Sequence, residues 1–373
     1  MPDTTHPPLR EVTLEDLDAI EIGAAILGTG GGGNPYIGKL RCREELRKGR
    51  RIPVIPLHEL PDDALVVSLG GIGAPVVGVE KIEQGEECLR ALRAVEEEVG
   101  AKADALISAE IGGANSMEPM LTAAQAGLPV VDGDGMGRAF PEMQMITWSI
   151  YGQRSAPAAM ADEKGNVVVF RTTPTDKWLE DLARASVVAM GAAAGLAQAP
   201  MRGAFVKRAA IPGTVTQALH LGRAVIDANA QHRDPVRAVI DQENGRLLMT
   251  AKIVDLERHL KGGFAVGHLT LEGFGADEGD TGRIDLQNEF LVFRRNDRVE
   301  VCVPDLIVVL DADTGHPITT EMLRYGQRIA VLGLPCHALL RTPEALAVVG
   351  PAAFGYPELT FHPMDARGQE APR

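Results

Sequence analysis

The chain has 373 residues, of which 45% are hydrophobic and 24% charged, values that are ordinary for a folded protein and predict two domains at this length. A net charge of −14 argues against nucleic acid or an anionic membrane as the partner. Aromatic residues make up only 4% of the chain, too few for base-stacking surfaces.

Cysteine usage and the lack of targeting signals point to the cytoplasm. The cysteines show no C-x-x-C spacing, which indicates neither a disulfide framework nor a structural zinc site. The N-terminal residues lack the basic and apolar regions of a secretory signal. The longest run of small apolar residues, 187–197, falls short of the roughly 20 residues of a membrane span. We therefore predict a cytoplasmic protein that acts on a small molecule and is apolar enough in its second half to permit a homodimer or larger homo-oligomer.

Helices and short strands alternate over the first 150 residues. The helices are predicted from apolar residues at helical spacing, and the strands from short β-branched runs. Predicted helices span 14–27, a second segment ending at Leu46, 84–99 and 117–126, and predicted strands span 52–56, 64–70, 105–108 and 128–131. This alternation predicts an α/β fold with a mostly parallel sheet and flanking helices.

The pattern changes near residue 167. Helices are predicted within 175–194 and 211–230, and beyond Gly245 the chain is dominated by apolar runs separated by glycine or charged turns. Such runs are typical of an antiparallel sheet. We therefore predict an N-terminal α/β domain over 1–167 and a β-rich α+β C-terminal domain over 168–373.

The segment Leu27–Pro35, L-G-T-G-G-G-G-N-P, is the first candidate for a ligand site. It formally matches G-x-G-x-x-G, but it follows a predicted helix rather than a strand, which argues against a dinucleotide site. The absence of G-K-[ST] excludes a P-loop. A tight turn would need one or two glycines, so we interpret Gly30, Gly31, Gly32, Gly33 and Asn34 as a loop that faces a ligand.

Three glycine-rich loops follow predicted strands, at 70–75, 109–116 and 130–142, and ligands gather at the carboxyl ends of such strands. The second loop offers Glu110 as an acid or base, or alternatively as a helix cap, and Asn115 as a binding group. In the third, an Asx turn explains one aspartate, whereas Asp132, Asp134, Arg138 and Glu142 together favour a site. Arg138 is the candidate clamp for a substrate carboxylate.

Two further candidates lie in the second half of the chain. His268 stands in an apolar strand run, where a histidine is more often a core residue. Period-two alternation nevertheless places it on one face with Thr270 and Glu272. Asp313 and Thr319 follow the most apolar run, in a segment that is either a polar turn or part of a site. We expect His268 and Asp313 to close the site from the second domain.

Four motifs in order carry a family resemblance. They are L-G-T-G-G-G-G-N-P-Y-I-G, S-A-E-I-G-G-A-N-S, P-V-V-D-G-D-G-M-G-R-A-F-P-E and P-I-T-T-E-x-L-R-Y-G-Q-R. Over 14–363 the chain resembles the S-methyl thiohydantoin desulfurases. The resemblance implies two domains and hydrolytic release of methanethiol from an S-methylated thiohydantoin, leaving a hydantoin.

That reaction assigns roles to the candidate residues. Acid–base work falls to Glu110, Asp132, Asp134, His268 and Asp313, and substrate contacts to Gly30 to Gly33, Asn34, Asn115, Arg138, Glu142 and Thr319. Alternatively, His268 and nearby carboxylates hold a divalent metal such as zinc, although no typical ligand spacing is present. Two other classes stay open. One is an ATP-using hydantoin-ring hydrolase, and the other is a non-catalytic small-molecule-binding protein.

Overall fold

The computed structural model describes residues 8–73, 77, 81, 83–261 and 264–364. The N-terminal residues, which are predicted to lack a secretory signal, lie outside these ranges. The outer ends of both predicted domains also lie outside them, as do Ala74 and Pro75 of the first predicted site loop.

The described residues form two sheets flanked by helices. The strands are β1 (Glu11–Val12), β2 (Ile52–Pro56), β3 (Leu65–Gly73), β4 (Ala105–Ser108), β5 (Val130–Asp134), β6 (Ala158–Ala161), β7 (Val167–Phe170), β8 (Ala193–Ala197), β9 (Met201–Arg202), β10 (Ile211–Pro212), β11 (Arg246–Lys261), β12 (Phe264–Gly273), β13 (Thr281–Gln287), β14 (Glu289–Arg295), β15 (Arg298–Cys302), β16 (Leu306–Asp311) and β17 (Arg328–Leu334). The helices are α1 (Leu17–Leu27), α2 (Tyr36–Arg47), α3 (Glu87–Val99), α4 (Met117–Ala126), α5 (Thr147–Ile150), α6 (Asp176–Ala189), α7 (Gly203–Ala209), α8 (Thr214–Ala230), α9 (Pro235–Glu243) and α10 (Pro343–Val349).

The first sheet has the order β1-β2-β5-β4-β3-β8-β6-β7, with β10 paired to β5 and β9 to β3. Its central strands β2, β5, β4 and β3 are parallel, and the strands added around them are antiparallel. The predicted α/β class is confirmed, with the parallel pairing confined to the centre. The carboxyl ends of β3, β4 and β5 therefore lie side by side, which positions the loops that follow them.

The second sheet has the order β15-β14-β13-β12-β11-β17-β16 and is antiparallel throughout. Its strands β14 and β16 also contact each other, so the sheet curves around a separate apolar cluster that includes Phe290 and Phe293. The predicted β-rich second part of the chain is confirmed.

Close helix packing joins the two halves of the chain. Helix α1 packs against α8, and a Cβ atom on Gly23 would lie 1.8 Å from the Ala218 carbonyl oxygen. The reciprocal contact is equally close, because a Cβ on Gly222 would lie 1.8 Å from the Ala19 oxygen. Strand β8 and helix α8 follow residue 168 but complete the first sheet and its helical layer. The division at 167/168 stays a prediction.

Local hydrogen bonds explain where the helices begin. Helix α3 starts at Glu87 rather than at residue 84 because the Glu87 carboxylate accepts hydrogen bonds from the Gln84 and Gly85 N–H groups at 2.6 and 2.7 Å. Helix α4 matches the prediction and ends at Gly127, which has a left-handed φ of 70°. None of the helices in the described ranges combines the length and apolar content needed to cross a membrane.

Candidate functional site

A cavity of about 510 Å³ lies where the loops after β3, β4 and β5 meet the glycine loop, α6, β8 and the start of β14. The three predicted site loops therefore converge. Its polar and charged lining includes Asn34, Arg41, Lys81, Glu83, Glu87, Glu110, Asn115, Glu118, Glu142, Glu163, Glu180, Arg184, Gln198, Asn288 and Glu289. We call this cavity the cleft.

A side chain at either of two glycines of the loop would contact its neighbours too closely. A Cβ on Gly31 would lie 2.0 Å from Glu289 Oε1, and a Cβ on Gly32 would lie 2.3 Å from the carbonyl oxygen of Gly112. Gly32 also has a φ of 71°, which favours glycine. The loop is thus pressed between the segment after β4 and the start of β14.

The glycine loop presents only part of itself to the cleft. Gly32, Gly33 and Asn34 line the cleft, whereas Gly30 and Gly31 do not. The Gly30 carbonyl instead accepts a hydrogen bond from the Thr320 N–H at 2.8 Å. The loop therefore joins a cleft wall to the second sheet.

Glu110, directly after β4, is buried and lines the cleft. Its Oε1 accepts a hydrogen bond from Asn115 Nδ2 at 2.5 Å, and its Oε2 accepts one from the Phe140 N–H at 3.1 Å. Burial, together with the nearby Asp134 charge, raises the pKa of the Glu110 carboxyl to about 8, against the two hydrogen bonds and Arg138, which lower it. Such a group can exchange a proton near neutral pH.

Glu289, the first residue of β14, is a buried carboxylate that sequence reasoning missed. It lines the cleft, and no donor among the described residues lies within hydrogen-bond distance of its Oε2. Burial and the charge of Glu110 hold the pKa of Glu289 well above its usual range, while Arg138 opposes the shift. The available signal was a glutamate that begins the apolar run E-F-L-V-F.

Asn115 connects the glutamate to the end of β3. While its Nδ2 donates to Glu110, its Oδ1 accepts a hydrogen bond from the Gly71 N–H at 2.5 Å. Donor and acceptor roles at both ends fix the amide orientation. The structure thus brings the two predicted residues Glu110 and Asn115 together on one wall.

Asp132 and Asp134 lie outside the cleft lining. Asp132 Oδ1 accepts hydrogen bonds from the Val215 and Thr216 N–H groups at 3.0 and 3.1 Å, which anchors the first turn of α8. Asp134 Oδ2 accepts from three N–H groups, among them those of Ile111 and Met136. The local contacts of Asp134 match the Asx turn that explains one aspartate of this segment, whereas the contact of Asp132 with α8 was not predicted.

Arg138 is fully buried at the junction of the two sheets and does not line the cleft. Its guanidinium donates to Thr29 Oγ1 and to the carbonyls of Ala139, Phe290, Pro304 and Asp305 at 2.8 to 3.2 Å. These contacts occupy its donors with protein acceptors, so the structure gives Arg138 a place between the sheets rather than against a substrate carboxylate.

The cations that line the described part of the cleft already have acidic partners. Lys81 forms an ion pair with Glu163, with its Nζ 2.6 Å from Glu163 Oε2, and donates to two main-chain carbonyls. Arg184 Nε donates to Glu180 Oε1 at 2.5 Å, and Arg41 pairs with Glu83 in the same way. These ion pairs therefore stabilise the wall of the cleft.

Glu142 is the remaining predicted binding residue of the third loop. It lines the cleft, and its Oε1 lies 3.1 Å from the Lys177 ammonium while its Oε2 accepts a hydrogen bond from the Gln144 side chain. This carboxylate is thus paired at the cleft wall.

The predicted residues of the second sheet lie elsewhere. His268 is in mid-strand, with its Nδ1 3.5 Å from the Glu257 carboxylate, and Asp313 is an exposed turn residue 3.6 Å from Arg328. Thr319 is buried, and none of these three lines the cleft. Within the described ranges, no group of three or more His, Cys, Asp or Glu side chains is arranged to hold a metal ion, around His268 or elsewhere.

Comparison with known proteins covers nearly the whole chain. The model of the S-Me-THD-like N-terminal domain matches residues 15–172, and that of the S-Me-THD-like C-terminal domain matches 174–364. A crystal structure of a protein from Chromobacterium violaceum is similar, with 25% sequence identity, a TM-score of 0.79 and coverage of 96% of this chain and 100% of that chain. No curated protein matches.

Proposed function

Because the chain belongs to the S-Me-THD-like family, the family of S-methyl thiohydantoin desulfurases, we propose that it hydrolyses an S-methyl thiohydantoin to a hydantoin and methanethiol. The observation that carries this proposal is the pair of buried glutamates, Glu110 and Glu289, that share the cleft with raised pKa values. Groups of this kind are concentrated at catalytic sites.

The substrate sets the chemical requirements. The ring carbon that carries the methylthio group is doubly bonded to one ring nitrogen and is electrophilic. Water must lose a proton as it adds, the ring nitrogen must gain one, and the thiolate must leave. Two carboxyl groups of opposite protonation state can meet these needs.

Addition of water is the first step. Glu110, whose oxygens both accept hydrogen bonds, is the better ionised of the two and takes a proton from water as the C–O bond forms. Glu289, without a donor to its Oε2 among the described residues, holds the shared proton and gives it to the ring nitrogen. The product of this step is a tetrahedral carbon bearing hydroxyl and methylthio groups.

Collapse of this intermediate is the second step. The hydroxyl oxygen forms the carbonyl and returns its proton to Glu289, while the C–S bond breaks and the thiolate takes the proton held by Glu110. Both glutamates regain their starting state. One water is consumed, and the net result is one hydrogen added to the ring nitrogen and one to sulfur.

The lining of the cleft has polar and apolar parts, which we assign to the two sides of such a ring. Gly32 and Gly33 line the cleft, and we assign the polar ring edge to this part of its wall. Apolar side chains such as Ile72, Met136 and Ile146 line the same cleft and suit the methylthio group.

The test is methanethiol release from an S-methyl thiohydantoin by the full chain, compared with the Glu110→Gln variant. We expect release by the wild type and a kcat lower by about 10³-fold in the variant. Glu243→Gln is the matched control. Glu243 is another, partly buried glutamate, whose pKa burial raises to about 7, but it does not line the cleft.

Two results would contradict the proposal. Failure of the wild type to release methanethiol would refute the reaction, and an equal loss of activity in Glu110→Gln and Glu243→Gln would refute the role of the cleft. Hydrolysis of a hydantoin ring only with ATP would instead support the alternative ring-opening activity.

A further inference from the structure

Thr29, between α1 and the run of glycines, has a backbone conformation that β-branched residues rarely adopt. Its φ is 49°, in the left-handed region, and the residue is fully buried. Such a conformation persists only where the surrounding structure enforces it, and it is concentrated at functional sites.

Two hydrogen bonds from other segments hold Thr29 in place. Its Oγ1 accepts from Arg138 Nη2 at 2.8 Å, and its carbonyl accepts from the Phe290 N–H at 2.8 Å. Thr29 directly precedes Gly30 to Gly33, so these bonds set the starting position of the glycine loop.

The same guanidinium reaches the segments that carry both cleft glutamates. Arg138 lies over the Phe140 ring, 4.6 Å from its centre, and the Phe140 N–H donates to Glu110 Oε2. Arg138 Nη2 also donates to the carbonyl of Phe290, the residue after Glu289, at 3.2 Å. One buried cation therefore contacts the neighbours of both glutamates and the residue that starts the glycine loop.

The charge of Arg138 also acts on the two glutamates. The titratable groups that face Arg138 are Glu110, Glu289, Asp305 and the Cys336 thiol. Its positive charge favours the ionised forms of both glutamates, against the effect of burial.

We propose that Arg138 is a positioning residue that acts through Thr29 to hold the glycine loop and the two glutamates at the spacing the reaction requires. This inference rests on the proposed function for its kinetic consequences. Its structural consequence, an altered titration of Glu110, is measurable without turnover.

The test replaces the Thr29 hydroxyl while keeping the shape of the side chain. In Thr29→Val, kcat should fall on the order of 10- to 100-fold with little change in KM, as expected from a small displacement of catalytic groups. Thr29→Ser, which keeps the hydroxyl, should retain most of the wild-type kcat. Thr122→Val is the control because this buried threonine in α4 has an unpartnered Oγ1 among the described residues.

Titration of the Glu110 carboxyl by ¹³C NMR supplies the second readout. Its midpoint should rise in Arg138→Met, which loses the positive charge, and change in Thr29→Val, while it stays at the wild-type value in Thr29→Ser and Thr122→Val. Should Arg138→Met fail to fold, the threonine variants decide alone. Kinetics and a Glu110 titration in Thr29→Val that match those of Thr122→Val would overturn the proposal. An inactive wild type whose Glu110 titration still responds to Thr29→Val would refute the proposed function and leave the positioning role supported.

Discussion

Two pairs of buried carboxylates lie near the carboxyl ends of the parallel strands and differ in what they contact. Glu110 and Glu289 line the cleft, whereas Asp132 and Asp134 accept hydrogen bonds from main-chain N–H groups and lie outside its lining. Burial raises the pKa values of both pairs. A raised pKa therefore does not by itself separate the proposed catalytic pair from the structural pair, which differ in that only Glu110 and Glu289 line the cleft.

A high density of acidic residues in a sequence motif likewise does not identify a catalytic group. The end of β5 carries two aspartates because Asp132 anchors α8 and Asp134 holds the turn that follows the strand. The glutamate of β14 stands alone among apolar residues, and only the fold brings it beside Glu110.

Replacing Glu289, the proposed acid of the cleft pair, should lower kcat strongly. In Glu289→Gln we expect kcat to fall by about 10²- to 10³-fold, because no group then protonates the ring nitrogen. The measurement is methanethiol release over a range of pH, with Glu300→Gln on β15 of the same sheet as control. Wild-type kcat in Glu289→Gln would remove this residue from the chemistry.

A change at Gly31 tests the position of Glu289 without altering its charge. The Cβ atom of Gly31→Ala would lie 2.0 Å from Glu289 Oε1, so the carboxylate must move. A displacement of this size should lower kcat on the order of tenfold or more. The same change made in a Glu289→Ala background should have no further effect, and an equal loss in both backgrounds would show that Gly31 acts independently of Glu289.

Replacing Asp132, a member of the structural pair, should lower stability and leave kcat unchanged. Asp132→Ala leaves the Val215 and Thr216 N–H groups without their acceptor, which should lower the free energy of unfolding by about 1–2 kcal/mol. Urea unfolding measures this loss, and kcat of the folded variant should stay at the wild-type value. A large fall in kcat with unchanged stability would return Asp132 to the chemistry.

Local signals in the sequence predicted the fold well. Strand β4 and helix α4 match their predicted bounds because each depends on a short apolar pattern, with Gly127 as a clear helix end. The sequence also marked Glu110 and Asn115, which lie close together in the chain and are held by the same loop.

Contacts between distant segments could not be predicted in this way. Arg138 meets carbonyls more than 150 residues away, and this pairing decides that it joins the two sheets. His268 lies in mid-strand beside Glu257, and Asp313 in an exposed turn, because the curvature of the second sheet and its register place them there. Glu289 has no motif of its own.

The pH dependence of kcat/KM for methanethiol release tests the central claim most directly. Glu110 must be ionised to accept a proton from water, and burial raises its pKa from the ordinary 4.5 to about 8. We therefore expect kcat/KM to increase with pH through a transition centred near pH 8. The residual activity of Glu110→Gln should lack that transition. A transition that is complete near pH 4.5, or the same transition in Glu110→Gln, would contradict the assignment of Glu110 as the base.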